Sequence, residues 1–247
     1  MDITPPFGYS NIAPFLKTQR VKLPAAGQLP PFVAGLNAIP VSFTEFPVAC
    51  RDYPLVFASG DEGKSVAPVA VLGLVTGENL FAVPSGWSAN TYVPAYVRRY
   101  PFCMARVTLD AVEQAERLIC IEKSAIAAEG DTGEPLFDAA SQPLERWAGI
   151  EKLLNEYEAD LERTREMSEL LMSLGLLEPF SMQATPNGGA PLSMTGMFRV
   201  AEAKIEHLSS DDLRVLIRKG VLGRIYVHLL SLDNFGRLLE RRAAQAG

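Results

Sequence analysis

Between Asp52 and Phe102 the chain gathers most of the side chains suited to holding a polar ligand. Trp87, Tyr92, Tyr96 and Tyr100 stand with Arg98 and Arg99 in the run GWSANTYVPAYVRRYPF, and Asp52 and Glu78 add carboxylates upstream. Aromatic rings beside guanidinium groups suit carbohydrates, peptides or anions, because the ring faces attract cations and C–H groups while the planar guanidinium forks onto acidic oxygens. If Pro94 opens a helix, Tyr92 and Tyr96 share a face, as do Ala95 and Arg99. Arg98 and Arg99 then diverge by about 100°, so one of them at most points into a pocket on a given face. The residues leave two uses open. In one, an arginine meets a ligand. In the other, it pairs with a carboxylate of the chain, such as Asp52 or Glu78, and the tyrosines fill the core. A third reading, an enzyme working on a small polar substrate through Asp52, Glu78, Tyr96 and Arg98 or Arg99, requires a carboxylate with a strongly perturbed pKa in a pocket.

Other chemistries lack their residues. The two histidines, His207 and His228, have no acid or second histidine at ligand spacing, so no metal site is expected. No GxSxG elbow accompanies them, so no catalytic residue is assigned. Gly60–Ser65 (GDEGKS) ends like a phosphate loop but lacks the four-residue spacer and reads as a surface turn; Asp131 and Glu134 lack the ligand alternation of a calcium loop. No cofactor is expected. Cys50, Cys103 and Cys120 are oddly numbered, widely spaced and set among apolar residues, which makes them small core hydrophobes rather than a disulfide framework.

The chain has 247 residues, 48% of them hydrophobic and 21% charged, in the ordinary globular range. A net charge of −6 argues against nucleic acid as a partner, since that affinity comes from neutralising phosphates. No apolar run approaches the roughly 20 residues needed to cross a bilayer, and the N-terminus lacks the basic start and apolar core of a signal peptide. The expected location is cytoplasmic, with the cell surface by a signal-independent route as the alternative.

The elements that must position these groups belong to an α+β fold. Residues 1–35, rich in proline and glycine, form an arm wrapped on the surface or partly disordered. Residues 36–143 form a mostly antiparallel β core, with order beginning near Ala38. Ala38–Ala58 reads as strand-length pieces broken at Pro47 and Pro54, and Val66–Val75 as a buried strand with Asn79–Val83 as its hairpin partner. Residues 110–118 suit a helical turn or an exposed loop, and LICIEKSAI another strand. Residues 144–247 form a helical region packed on that core as one domain. From Leu144 the apolar period becomes about 3.5, with Trp147, Leu154, Leu161 and Ser168 at sevens beside Ile150, Tyr157, Thr164 and Leu171. One helix of about 30 residues should run to Gly175. Its stripe suits packing inside the domain or a homodimer through residues 144–174, and Thr164 and Ser168 weaken the seam for the latter. A hairpin around Pro186-Asn187-Gly188-Gly189 follows, then a helix capped by Ser209 or Ser210 and a final helix from about Leu222 to Arg242.

Five ordered motifs, PVSFTEFPVACRDYPLVFA, VAVLGLVTGENLFAV, GWSANTYVPAYVRRYPF, LICIEKS and GEPLFD, together with GMFRVAEAKIEHLS and HLLSLDNFGRLL near the end, resemble the bacterial SapC-like proteins over nearly the whole chain from about residue 35. That family, found mainly in Gram-negative bacteria, is named after a protein linked to a surface layer. The resemblance implies a shared fold and a binding or accessory role tied to surface-layer or outer-membrane nutrient-uptake systems. It brings no catalytic residues. A small molecule, glycan or peptide is the expected partner, and a structural role as a surface-layer component or homodimeric scaffold is the other reading.

Overall fold

The computed structural model describes residues 2–25, 27–61, 63–109, 112–113, 117–128, 130–184 and 191–246. The protein is α+β, with antiparallel sheets, one long helix, a β-hairpin and C-terminal helices. It forms two compact units interleaved along the sequence: the first takes residues 1–33, 84–86 and 95–158, the second 34–83, 87–94 and 159–247.

In the first unit the strand Leu118–Glu122 lies between Ile12–Pro14 and Phe102–Ala105, antiparallel to both. Pro14 is tolerated because its strand is an edge, where the missing N–H breaks no ladder. Val21, Phe102, Ile121, Leu136, Phe137, Trp147 and Leu154 form the core. Trp147 stacks on Phe15 at 4.8 Å and meets Phe102 edge-on at 5.6 Å, so rings far apart in sequence close the unit. The N-terminal residues are stitched in by a buried carboxylate: Glu122, 4% exposed, accepts from Ser10 N at 3.1 Å, Ser10 Oγ at 3.0 Å and Asn11 N at 2.8 Å. Hydrogen bonds to a charged group are worth about 1.5–3 kcal/mol each before the cost of burying the charge. Glu122→Ala should therefore lower stability by about 3 kcal/mol in urea denaturation and open the segment before Ile12 to proteolysis; a variant whose N-terminus stays protease-resistant would refute this anchoring role.

The second unit holds a five-stranded antiparallel sheet in the order Leu177–Ala184, Leu192–Val200, Leu55–Ala58, Ala67–Val71, Ala38–Pro40. The helix Val221–Ser231 packs on Leu55–Ala58 and Leu192–Val200. Leu177–Ala184 pairs with Leu192–Val200 as the expected hairpin; its Pro186-Asn187-Gly188-Gly189 turn lies outside the described residues, as does most of the 110–116 segment, where Val112–Glu113 is a strand.

Three local expectations are corrected. Phe43–Ala49 is not strand but a 3-10 turn, Phe43–Glu45, running into a short helix, Phe46–Ala49. Glu45 Oε2 accepts from both Ser42 N and Ser42 Oγ at 2.8 Å, tying the helix start together, and Pro47 suits a first turn that needs no N–H. Asn79–Val83 does not pair with the strand before it. Ala67–Val71 is already taken on both edges by Leu55–Ala58 and Ala38–Pro40. The final helix is two, Val221–Ser231 and Asn234–Ala246, because the Asn234 amide donates to the carbonyls of Cys50 at 2.7 Å and Tyr53 at 3.1 Å, which fixes the chain at the break.

The long helix, Glu145–Ser173, has 29 residues and ends on Gly175 at φ +63°. Its apolar stripe is occupied from within: Trp147, Leu154 and Tyr157 are buried in the first unit, and Thr164, Met167, Ser168 and Leu171 in the second. Two buried polar residues of this helix, Asp160 and Thr164, have clear duties. Thr164 Oγ1 accepts Phe43 N at 2.9 Å and Asp160 Oδ2 accepts Thr44 N at 2.8 Å, satisfying donors that a helix start leaves open.

Candidate functional site

The first unit holds a single helical turn, Ala95–Arg98, which begins directly after Pro94 in the sequence. Arg98 is exposed at its end, whereas Arg99 turns inward and is 4% exposed. Its guanidinium carbon lies 4.0 Å from the Tyr96 ring centre, 4.9 Å from Tyr157 and 5.5 Å from Tyr9. The Tyr9 hydroxyl donates to the Phe102 carbonyl at 2.8 Å and that of Tyr96 to the Phe7 carbonyl at 2.5 Å. Burial raises both phenols above their usual range, with the Arg99 charge opposing, so they stay protonated donors. Arg99 Nε has no partner among the described residues. Tyr100 adds its ring beside Tyr9 at 5.7 Å and Phe32 at 5.9 Å. Of the adjacent arginines, then, Arg99 is the inward one, and what it meets is a cage of tyrosines.

The other residues singled out from the sequence, Asp52, Glu78, Trp87 and Tyr92, lie in the second unit. Three of them converge on Tyr53. Trp87 Nε1 donates to the Tyr53 hydroxyl at 2.9 Å, that hydroxyl donates to the Tyr92 carbonyl, and Asp52 Oδ2 accepts Tyr92 N at 2.8 Å. Tyr92 in turn donates its hydroxyl to Glu45 Oε1 at 2.9 Å. Glu78 is separate: it accepts Leu74 N and pairs with Arg242 Nε, each at 2.8 Å. The carboxylates thus have partners other than Arg99.

Beside Asp52 the second unit holds a cavity of about 140 Å³ lined by Arg51, Asp52, Phe81, Arg237, Leu238 and Arg241. Arg237 and Arg241 are one turn apart on Asn234–Ala246. Arg241 lies over the Phe81 ring at 4.3 Å and donates to Ser88 Oγ at 2.8 Å; Arg237 donates to the Arg51 carbonyl at 2.9 Å and to Asn234 Oδ1 at 3.1 Å. Packing therefore fixes two guanidinium groups, and Arg51 is exposed at the rim. Three arginines against one carboxylate leave the lining two charges positive, a setting suited to forked hydrogen bonds with a carboxylate or phosphate. The three arginines escaped the sequence reading. Their signal was the Arg237–Arg241 spacing beside Leu238, together with the Arg51-Asp52 pair.

Groups that do covalent chemistry elsewhere have other roles here. Burial pushes the Cys103 thiol up to about 12 and Cys120 to about 11, so both stay protonated in the core. His228 is wholly buried and bonded to backbone through both ring nitrogens. Within the Gly60–Ser65 stretch, Asp61 accepts from Ser65 N and Oγ at the surface, which holds its carboxyl below the usual range. Among the described residues no group of three His, Cys, Asp or Glu side chains stands close enough to hold a metal ion, and no helix is long and apolar enough to cross a membrane.

No curated protein and no solved structure matches this chain. The family SapC matches residues 19–238, nearly its full length, and the chain belongs to the SapC family.

Proposed function

We propose that the protein is a non-enzymatic binding or accessory protein that holds the acidic group of a small molecule, glycan or peptide in the arginine-lined cavity beside Asp52. The observation that carries this reading is the surplus of positive charge in a concave site whose walls are already held in place. A volume of about 140 Å³ takes an acidic group and few further atoms, so the rest of the ligand extends outward past Arg51. Asp52 then serves as the acceptor for a ligand hydroxyl or amine. A role beside surface-layer or nutrient-uptake components agrees with this reading.

Thermal denaturation with phosphate, succinate and uncharged glucose tests it. The two anions should raise the melting temperature, by the equivalent of about 2.7 kcal/mol at one hundred times Kd, and glucose should not. Arg51→Glu, at an exposed position, should leave the fold intact and weaken anion binding at least tenfold, about 1.4 kcal/mol. Anion shifts of equal size in wild type and Arg51→Glu would overturn the proposal.

A further inference from the structure

The polar run along the buried face of the long helix does not end with its two structural members. Asp160, Thr164 and Ser168 recur every four residues on one face, and the first two receive backbone N–H groups from the Phe43–Glu45 turn. Ser168 is only 4% exposed, and its hydroxyl has no hydrogen-bond partner among the described residues. An unsatisfied buried hydroxyl carries a cost of about 1–3 kcal/mol, which the fold has no structural reason to keep. This serine lines a second cleft in the same unit, of about 550 Å³, between the helix and the segment Lys64–Pro68. That volume is typical of a site for a small organic molecule.

The walls specify the occupant. Leu161 and Met172 from the helix face Val66 and Ala67, so most of the lining is apolar. At the rim, Arg165 is held by Glu162 and Glu169, and its charge is satisfied within the helix. Lys64 makes no ion pair among the described residues. The Ser168 hydroxyl can donate or accept, whereas the exposed Lys64 ammonium can only donate, so the ammonium is what calls for an oxygen acceptor on an apolar body. The Ser168 oxygen is covered as it stands, so donation to the occupant requires a χ1 step toward the cleft.

We propose that this cleft binds an alkyl carboxylate, its chain between Leu161, Met172 and Val66 and its acidic end at Lys64, with Ser168 donating to an oxygen of the ligand. This site is independent of the arginine-lined cavity. Isothermal titration of the full chain with decanoate, acetate and decyltrimethylammonium tests it. Decanoate should bind at least tenfold more tightly than either comparator. Ala67→Phe, an exposed strand position whose new ring fills the cleft, should abolish binding, and Lys64→Glu should weaken it about tenfold. Ser168→Ala should weaken it several-fold while leaving the melting temperature equal or higher, since its hydroxyl holds no bond among the described residues. Arg51→Glu should keep the tight decanoate site and lose only the weaker anion binding expected of the arginine cavity; loss of the tight site there would place decanoate in the arginine cavity and overturn the cleft. Decanoate binding no better than acetate, equal binding of the cationic chain, or unchanged binding by folded Ala67→Phe would each overturn it as well.

Discussion

Replacing Arg99 by alanine should destabilise the protein by about 3 kcal/mol, while replacement by methionine should cost less than half as much. Three rings lie within 5.5 Å of the guanidinium, and a buried cation–ring contact is worth about 0.5–2 kcal/mol. Against that gain stand the burial of a charge and an Nε without a partner among the described residues. Alanine loses the ring contacts and leaves a void among Tyr9, Tyr96 and Tyr157, and large-to-small changes in a core usually cost about 2–5 kcal/mol. Methionine fills most of the same space, contacts the rings through its sulfur and carries no charge to desolvate. Urea denaturation of both variants separates packing from charge. Equal losses for methionine and alanine would show that the positive charge itself holds the tyrosines together, contrary to this account.

That cage also marks where local pattern stops being informative. A proline before a turn, a glycine after a long stripe and a serine before two acids are signals within a few residues, and the helix after Pro94, the Gly175 stop and the Ser209 cap all follow them. The stretch Ser42–Ala49 carried such a signal too, since Ser42 and Glu45 have capping-box spacing. The alternation of Val, Phe and Thr suggested strand more loudly, and the helical form prevails because Asp160 and Thr164, more than 110 residues away, receive its free N–H groups. The break before Asn234 was similarly written in Ser231-Leu232-Asp233-Asn234, but the carbonyls that fix it belong to Cys50 and Tyr53. Binding residues follow the same rule. The aromatic cluster was visible because its members are adjacent in sequence. The arginine cavity was not, because residue 51 and the helix after residue 234 meet only in the folded sheet-and-helix unit.

His228 should make stability fall steeply between pH 6.5 and 4. The register that pairs Phe198 with Phe57 would, two places on, set Val200 opposite Leu55. There the imidazole takes the place of a ladder bond: Nδ1–H donates to the Leu55 carbonyl at 2.8 Å and Nε2 accepts Val200 N at 3.1 Å. This arrangement needs the neutral ring, since a protonated Nε2 would face another N–H. Burial, aided by the nearby Arg199 charge and opposed by the Leu55 carbonyl, lowers the pKa to about 4 from its ordinary 6.5. The unfolded chain therefore takes up a proton that the folded one refuses. The histidine's contribution is complete above pH 6.5 and disappears as pH falls through 4, a loss of about 3 kcal/mol at roughly 1.4 kcal/mol per pH unit. His228→Leu should cost about 3–5 kcal/mol at pH 7, because it strands the Leu55 carbonyl and the Val200 N–H in the core. It should also remove this share of the acid sensitivity, so the stability gap between wild type and variant narrows from pH 7 to pH 4. Carboxylates that titrate in the same range act on both proteins and cancel in the difference. Two curves that stay parallel across that range would mean that the ring does not carry the acid response.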